Sequence, residues 1–172
     1  EIAVQLGLES SSGMLNIDAA KTCEIACLTV PFAHQESTLL SIDNGLLNKI
    51  MIDATVPLMP PKVMRVQLPE VGSAALNAQL ILGENTTVVS AFQNISAELL
   101  QTDAEIDCDV LVAGDLLDAR NIVIELAADA GLTGWHAGPL CNSVAAEALT
   151  SILIAINKKH SLAHSGIKIT GH

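Results

Sequence analysis

A chain of 172 residues has room for one domain, or one domain with a small appendage, and needs no disulfide or metal to staple it. Half of its residues are apolar, 16% are charged and 2% are aromatic, which excludes a disordered chain and calls for an aliphatic core. Nineteen acids against eight bases leave a net charge of −11 and no basic face, which excludes a nucleic-acid binder.

Taken in chain order, apolar runs of strand length alternate with helical patterns. Asn16 is placed to cap a helix over 17–23, and an apolar strand follows over 24–30, stopped by Pro31. A helix fits 35–41, Asp43-Asn44-Gly45 makes a turn, and a strand over 49–56 stops at Pro57. Residues 57–72, with Pro57, Pro60, Pro61 and Pro69, have no clear period and read as a long ordered loop. Ser73 opens a helix over 74–82, then come a strand over 86–91 and a short helix over 96–100. The second half repeats the scheme with a strand over 108–113. Asp115 then caps a helix with the stripe Ile122, Val123, Leu126, Ala127 and Ala130. A short strand over 132–136 precedes the longest helix, 140–157, whose stripe is Ala145, Leu149, Ile152, Leu153 and Ile156. An edge strand over 167–170 ends the pattern. Continuous apolar strands alternating with helices predict an α/β domain with a mostly parallel sheet covered on both faces.

No stretch reads as a membrane span, since the longest uncharged run, 130–146, holds three glycines and Pro139. There is no charged-then-apolar leader, so the sequons at 85–87 and 94–96 read as chance. Cys23, Cys27, Cys108 and Cys141 fit no zinc spacing, and Cys27 and Cys108 read as buried, reduced thiols of a cytoplasmic protein. His160 and His164 have a helical metal spacing but no third ligand nearby, and the acids from Asp103 to Asp118 read as solvated. Neither a Ser-His-Asp set nor a phosphate loop can be read.

Ligands of open α/β sheets bind beyond the carboxyl ends of the strands. Four strand ends look alike and are expected on one rim: Thr29-Val-Pro-Phe32, Thr55-Val-Pro-Leu58, Ala91-Phe-Gln-Asn94 and Ala137-Gly-Pro-Leu140. They offer backbone amides, small polar groups and both phenylalanines.

Several longer strings carry a resemblance: Leu28-Thr-Val-Pro-Phe32, Val89-Ser-Ala-Phe-Gln-Asn94, Asp107-Cys-Asp-Val-Leu-Val-Ala-Gly-Asp115, Asp129-Ala-Gly-Leu132, Ala137-Gly-Pro-Leu-Cys-Asn142, Glu147-Ala-Leu-Thr150 and Gly166-Ile-Lys-Ile169. In this order and spacing, from about Gly13 to Gly171, the chain resembles the NADPH-dependent coenzyme F420 reductase (F420:NADP oxidoreductase) family. The resemblance implies a Rossmann-type, doubly wound NAD(P)-binding fold without its first strands and glycine-rich loop. Residues 1–139 would form the partial NADP-binding domain, and 140–172 a small helix-and-strand cap over the deazaflavin cleft. It implies hydride exchange between NADP(H) and the 5-deazaflavin coenzyme F420, with small-molecule cofactors as partners and a homo-oligomer left open. Thr29, Pro31, Phe32 and His34 resemble the loop along the NADP diphosphate and ribose. Phe92, Gln93, Asn94, Ile95 and Ala97 resemble the segment between the two cofactors, and Pro139, Leu140 and Ser165 the deazaflavin side. All would position cofactors; none would act as a catalytic acid or base, and no metal is implied.

Family members open with a glycine-rich turn and a Ser-Arg pair that grips the 2′-phosphate. Neither is found in these 172 residues, and the first methionine is Met14. Residues 1–9 read as the tail of a helix, 11–15 as a short third strand and 24–30 as a fourth strand with an open edge. Two other readings stand beside the reductase. One is a non-catalytic or incomplete fragment of it. The other is an NADP-dependent enzyme of the pyrroline-carboxylate reductase/β-hydroxyacid dehydrogenase group, which usually carries a larger helical domain than 140–172.

Overall fold

A computed structural model describes residues 13–102 and 104–171. The expected helix tail at 1–9 lies outside them, as do the first residues of the expected strand at 11–15; Gly13, Met14 and Leu15 form no strand. The elements are α1 (Asn16–Thr22), β1 (Ile25–Leu28), α2 (Gln35–Ile42), β2 (Ile50–Asp53), α3 (Ala74–Leu82), β3 (Thr87–Ser90), β4 (Asp109–Gly114), α4 (Leu117–Asp129), β5 (Thr133–Gly138) and α5 (Ser143–His160).

The sheet order is β1-β2-β3-β4-β5. β1, β2 and β3 run parallel, with Leu28 beside Asp53 and Asp53 beside Ser90. β4 runs antiparallel to β3, and β5 parallel to β4. Successive strand residues point to opposite faces, so Met51 and Val88 join Leu39, Ala75 and Ala78 in one core, under α2 and α3. Ile52 and Val89 join Val110, Val112, Val123 and Ala127 in the other, under α4. The mostly parallel α/β sheet covered on both faces is present as expected.

Several local expectations are corrected. Leu15, not Asn16, is the cap residue of α1, and no side chain caps it. Ser73 does cap α3, accepting from the Leu76 N–H at 3.0 Å. Asp115 does not cap α4; its carboxylate instead accepts from the Leu140 N–H at 2.9 Å. The buried stripe of α4 is Ala119, Val123 and Ala127, with Ile122 and Leu126 turned outward. α5 is reversed more completely. Ser143, Ala146, Glu147 and Ser151 face inward, and Ala145, Ile152 and Ile156 face out, because polar groups of α3 and of the segment after β3 take up the inner face. Residues 96–100 form a turn leading into a short 3-10 helix, Leu99–Gln101. Residues 167–170 are not a strand, although Asp109 N–H donates to the Ile167 carbonyl at 2.8 Å. Cys108 is buried, whereas Cys27, on the outermost strand β1, is exposed.

By length and composition one stretch among the described residues, Leu140–His160, is apolar enough to cross a membrane, with mean hydropathy 1.4. This corrects the reading that no stretch qualifies. Its inward face, however, is engaged by hydrogen bonds from the body of the fold.

Candidate functional site

The carboxyl ends of β1, β2 and β3 open together into a cleft of about 800 Å³. β1 supplies Thr29, Pro31 and Phe32, β2 supplies Thr55, Val56 and Leu58, and β3 supplies Phe92, Gln93, Ile95 and Ala97. No charged side chain lines it among the described residues. The fourth expected end, Ala137 to Leu140, is not on this rim. The antiparallel step between β3 and β4 points the carboxyl end of β5 to the opposite edge of the sheet.

The segment after β3 is held from both sides. Gln93 Nε2 donates to the Asp53 carbonyl and to Ser90 Oγ, each at 2.8 Å. Thr150 Oγ1 of α5 donates to the Gln93 carbonyl at 2.9 Å, and Asn94 Nδ2 donates to the Ala146 carbonyl at 2.8 Å. These bonds fix a backbone that turns sharply: Phe92 has φ +72°, a left-handed conformation costly for a side chain of its size. Such strain persists where the surroundings over-determine it.

Beneath the cleft lies a buried polar layer. The Asp53 carboxylate accepts from Gln35 Nε2 at 2.7 Å and from the Thr55 N–H at 2.8 Å, and burial raises its pKa against those donors. Glu147 of α5 accepts from the Ala74 and Ala75 N–H groups at 2.6 and 3.1 Å, where the start of α3 leaves amides without helical partners. Burial pushes its pKa up to about 7.

A second cavity, about 340 Å³, lies between this segment, α5 and residues 163–165. Gln93, Ile95 and Ala97 line both spaces and form their common wall. Asn94, Ser96, Thr150, Asn157, His164 and Ser165 give it a more polar lining.

Three polar atoms beside the cavities are buried without a hydrogen-bond partner: Gln93 Oε1 at the wall they share, and Asn157 Oδ1 and Ser165 Oγ at the smaller space. Gln93 is 6% exposed, so solvent does not satisfy it. A buried orphan polar atom is costly, and here each adjoins a space that a ligand can fill. An uncharged, mainly apolar cleft with two phenylalanines and a few polar atoms fits flat heteroaromatic rings.

Of the residues expected at the site, Thr29, Pro31, Phe32, Phe92, Gln93, Ile95 and Ala97 line the cleft, and Asn94 and Ser165 line the second cavity. Three lie elsewhere: His34 is exposed after β1, Pro139 is exposed after β5, and Leu140 is in the core at 1% exposure. Sequence reasoning placed Thr55 on the rim only as part of a strand end, and missed Asp53, Glu147 and the partnership of Ser96 with His164. A carboxylate inside the apolar run before Pro57 was the available signal for Asp53.

No protein-family model matches the chain. The F420-dependent NADP reductase of Methanothermobacter marburgensis is 37% identical over 164 residues, covering 92% of this chain and 73% of the relative. That of Methanocaldococcus jannaschii is 37% identical over 176 residues, covering 99% and 78%. The chain belongs to the F420-dependent NADP reductase family. A solved structure from Arthrobacter sp. FB24, described as a candidate F420-dependent NADP reductase, superposes with a TM-score of 0.80 at 20% identity. It covers 92% of this chain and 74% of its own, and it supports the Rossmann-like fold.

Proposed function

We propose that this chain passes a hydride between NADP(H) and the 5-deazaflavin coenzyme F420. The observation that carries the reading is the uncharged cleft whose wall of Gln93, Ile95 and Ala97 it shares with a second cavity, with orphaned buried polar atoms beside both. The names of the relatives supply the two cofactors.

In this reading Thr29, Pro31, Phe32 and His34 run along the NADP diphosphate and ribose, and Phe92, Gln93, Asn94, Ile95 and Ala97 stand between the two rings. Ser165, in the second cavity, belongs to the deazaflavin side, which the chain from α5 onward closes; Pro139, exposed after β5, and Leu140, in the core, stand outside it. The cofactors supply a hydride donor and a hydride acceptor, and the protein's work is to hold them face to face at reactive distance and exclude water. The held backbone at Phe92 and the dry lining do that. The protein acts in the cytoplasm, with these small molecules as its partners.

The test follows the absorbance of oxidised deazaflavin on mixing its reduced form with NADP, with flavin mononucleotide as the control. The reading predicts recovery of the oxidised band with F420 and none with the flavin. An unchanged spectrum at saturating cofactor contradicts it.

A further inference from the structure

In the lining of the smaller cavity stand three groups that hydride positioning does not use. Ser96 Oγ and His164 Nδ1 are 3.0 Å apart, and His164 Nε2 is 3.7 Å from a carboxylate oxygen of Glu98. Ser96 and Glu98 come from the segment after β3, and His164 from the chain beyond α5, so the fold brings them together across 68 residues. All three line the cavity that shares Gln93, Ile95 and Ala97 with the cleft. The His164 side chain is 29% exposed and that of Glu98 85%, so the series runs from the cavity wall out to solvent. A hydroxyl, an imidazole and an exposed carboxylate in that order make a path for a proton.

We propose that Ser96, His164 and Glu98 form a proton relay for the hydride transfer, an inference that rests on the function proposed above. Oxidation of a dihydrodeazaflavin releases one hydride and one ring-nitrogen proton, and the nicotinamide takes only the hydride. Ser96 Oγ accepts that proton, forming an O–H bond as the donor N–H bond breaks, while its own hydroxyl proton passes to His164 Nδ1. His164 then carries a proton on each ring nitrogen, and Nε2, facing Glu98, releases one to water. The electron pair travels with the hydride, so no oxidant or reductant beyond the two cofactors is needed. In the reverse direction the same atoms deliver a proton from water.

The test compares the wild-type chain with Ser96→Ala, His164→Gln and Glu98→Gln. Nitrogen-15 NMR of the histidine rings, without cofactor, should show Nδ1 of His164 as a hydrogen-bond acceptor and lose that signature in Ser96→Ala. In single-turnover hydride transfer His164→Gln should be slower by roughly 10²-fold, the lower range for a positioned proton-transfer group. Its solvent isotope effect should change, added imidazole should restore part of the rate, and deazaflavin affinity from fluorescence quenching should stay within about twofold. Glu98→Gln, at an exposed position, should slow transfer a few-fold and decides the matter if His164→Gln does not fold. A wild-type chain that transfers no hydride overturns the proposed function and the relay with it. An active wild type whose rate and solvent isotope effect are unchanged in His164→Gln and Glu98→Gln overturns the relay alone. A slowed His164→Gln that imidazole does not rescue and whose solvent isotope effect is unchanged assigns the histidine to structure, and equally overturns it.

Discussion

Glu147 is 1% exposed on the inner face of α5, with its carboxylate across the first two amides of α3. Those amides favour the ionised form, but burial outweighs them and holds the pKa at about 7. An unfolded chain returns the group to about 4.3. The folded state therefore binds this proton more tightly. The stability it contributes is full below about pH 4 and is lost as pH rises through 7. Urea midpoints should show wild type losing on the order of 3 kcal/mol relative to Glu147→Gln between pH 4.5 and 8, at about 1.4 kcal/mol for each tenfold change in proton affinity. Asp53, whose pKa burial also raises, acts on Glu147 through its charge, so the difference reports Glu147 together with its coupling to Asp53. A difference that does not vary with pH would contradict this account. Ala97 is exposed on the wall between the two cavities, where a small side chain leaves room for both rings. Ala97→Leu should slow hydride transfer about tenfold or more by separating the rings, while unfolding free energy moves by no more than about 0.5 kcal/mol. An unchanged rate, or a variant that unfolds, would place the rings elsewhere. Thr29, Pro31, Phe32 and Phe92 were legible because strand ends and prolines are local signals. Glu147 and His164 were not, because their partners lie 73 and 68 residues away and only the fold unites them.

At the scale of elements, the strands were readable and the helix faces were not. Ile50–Asp53 and Thr87–Ser90 sit in sheet centres buried on both faces, so a continuous apolar run marks them. In α5 the strongest apolar periodicity, through Ile152 and Ile156, points outward, because the inner face accepts from backbone amides of α3 and from the Asn94 side chain after β3. Periodicity reports which residues share a face, not which face is inside. The reversal of β4 was hidden for a related reason: apolar runs carry no direction. Strand bookkeeping expects an open edge at β1, and among the described residues β1 pairs with β2 alone. Ile25 and Ala26 are half-buried and Cys27 is exposed there. An apolar edge of this kind pairs with other chains. We predict that the 172-residue chain elutes above its monomer mass or exchanges strands, and gains monomer when Cys27→Lys charges the edge. Size-exclusion chromatography with a thermal melt checks this. A clean monomer with one sharp, cooperative transition would contradict it.

For the molecule as a whole, the parallel half of the sheet builds the cleft and α5 lines the second cavity behind its wall. The strand ends of β1, β2 and β3 bring Phe32, Leu58 and Phe92 to one rim, and α5 holds the Gln93–Asn94 turn against it through Ala146 and Thr150. This arrangement gives an uncharged, mainly apolar site, suited to the proposed meeting of two cofactor rings. Its central claim is direct transfer from ring to ring. The measurement that tests it most directly uses NADPH carrying deuterium at the transferable C4 position, with oxidised F420 and this chain, and locates the label by mass spectrometry and NMR. The account predicts deuterium at C5 of the reduced deazaflavin and none gained from or lost to water. Reduced deazaflavin without the label, or no reduction at all, would contradict it.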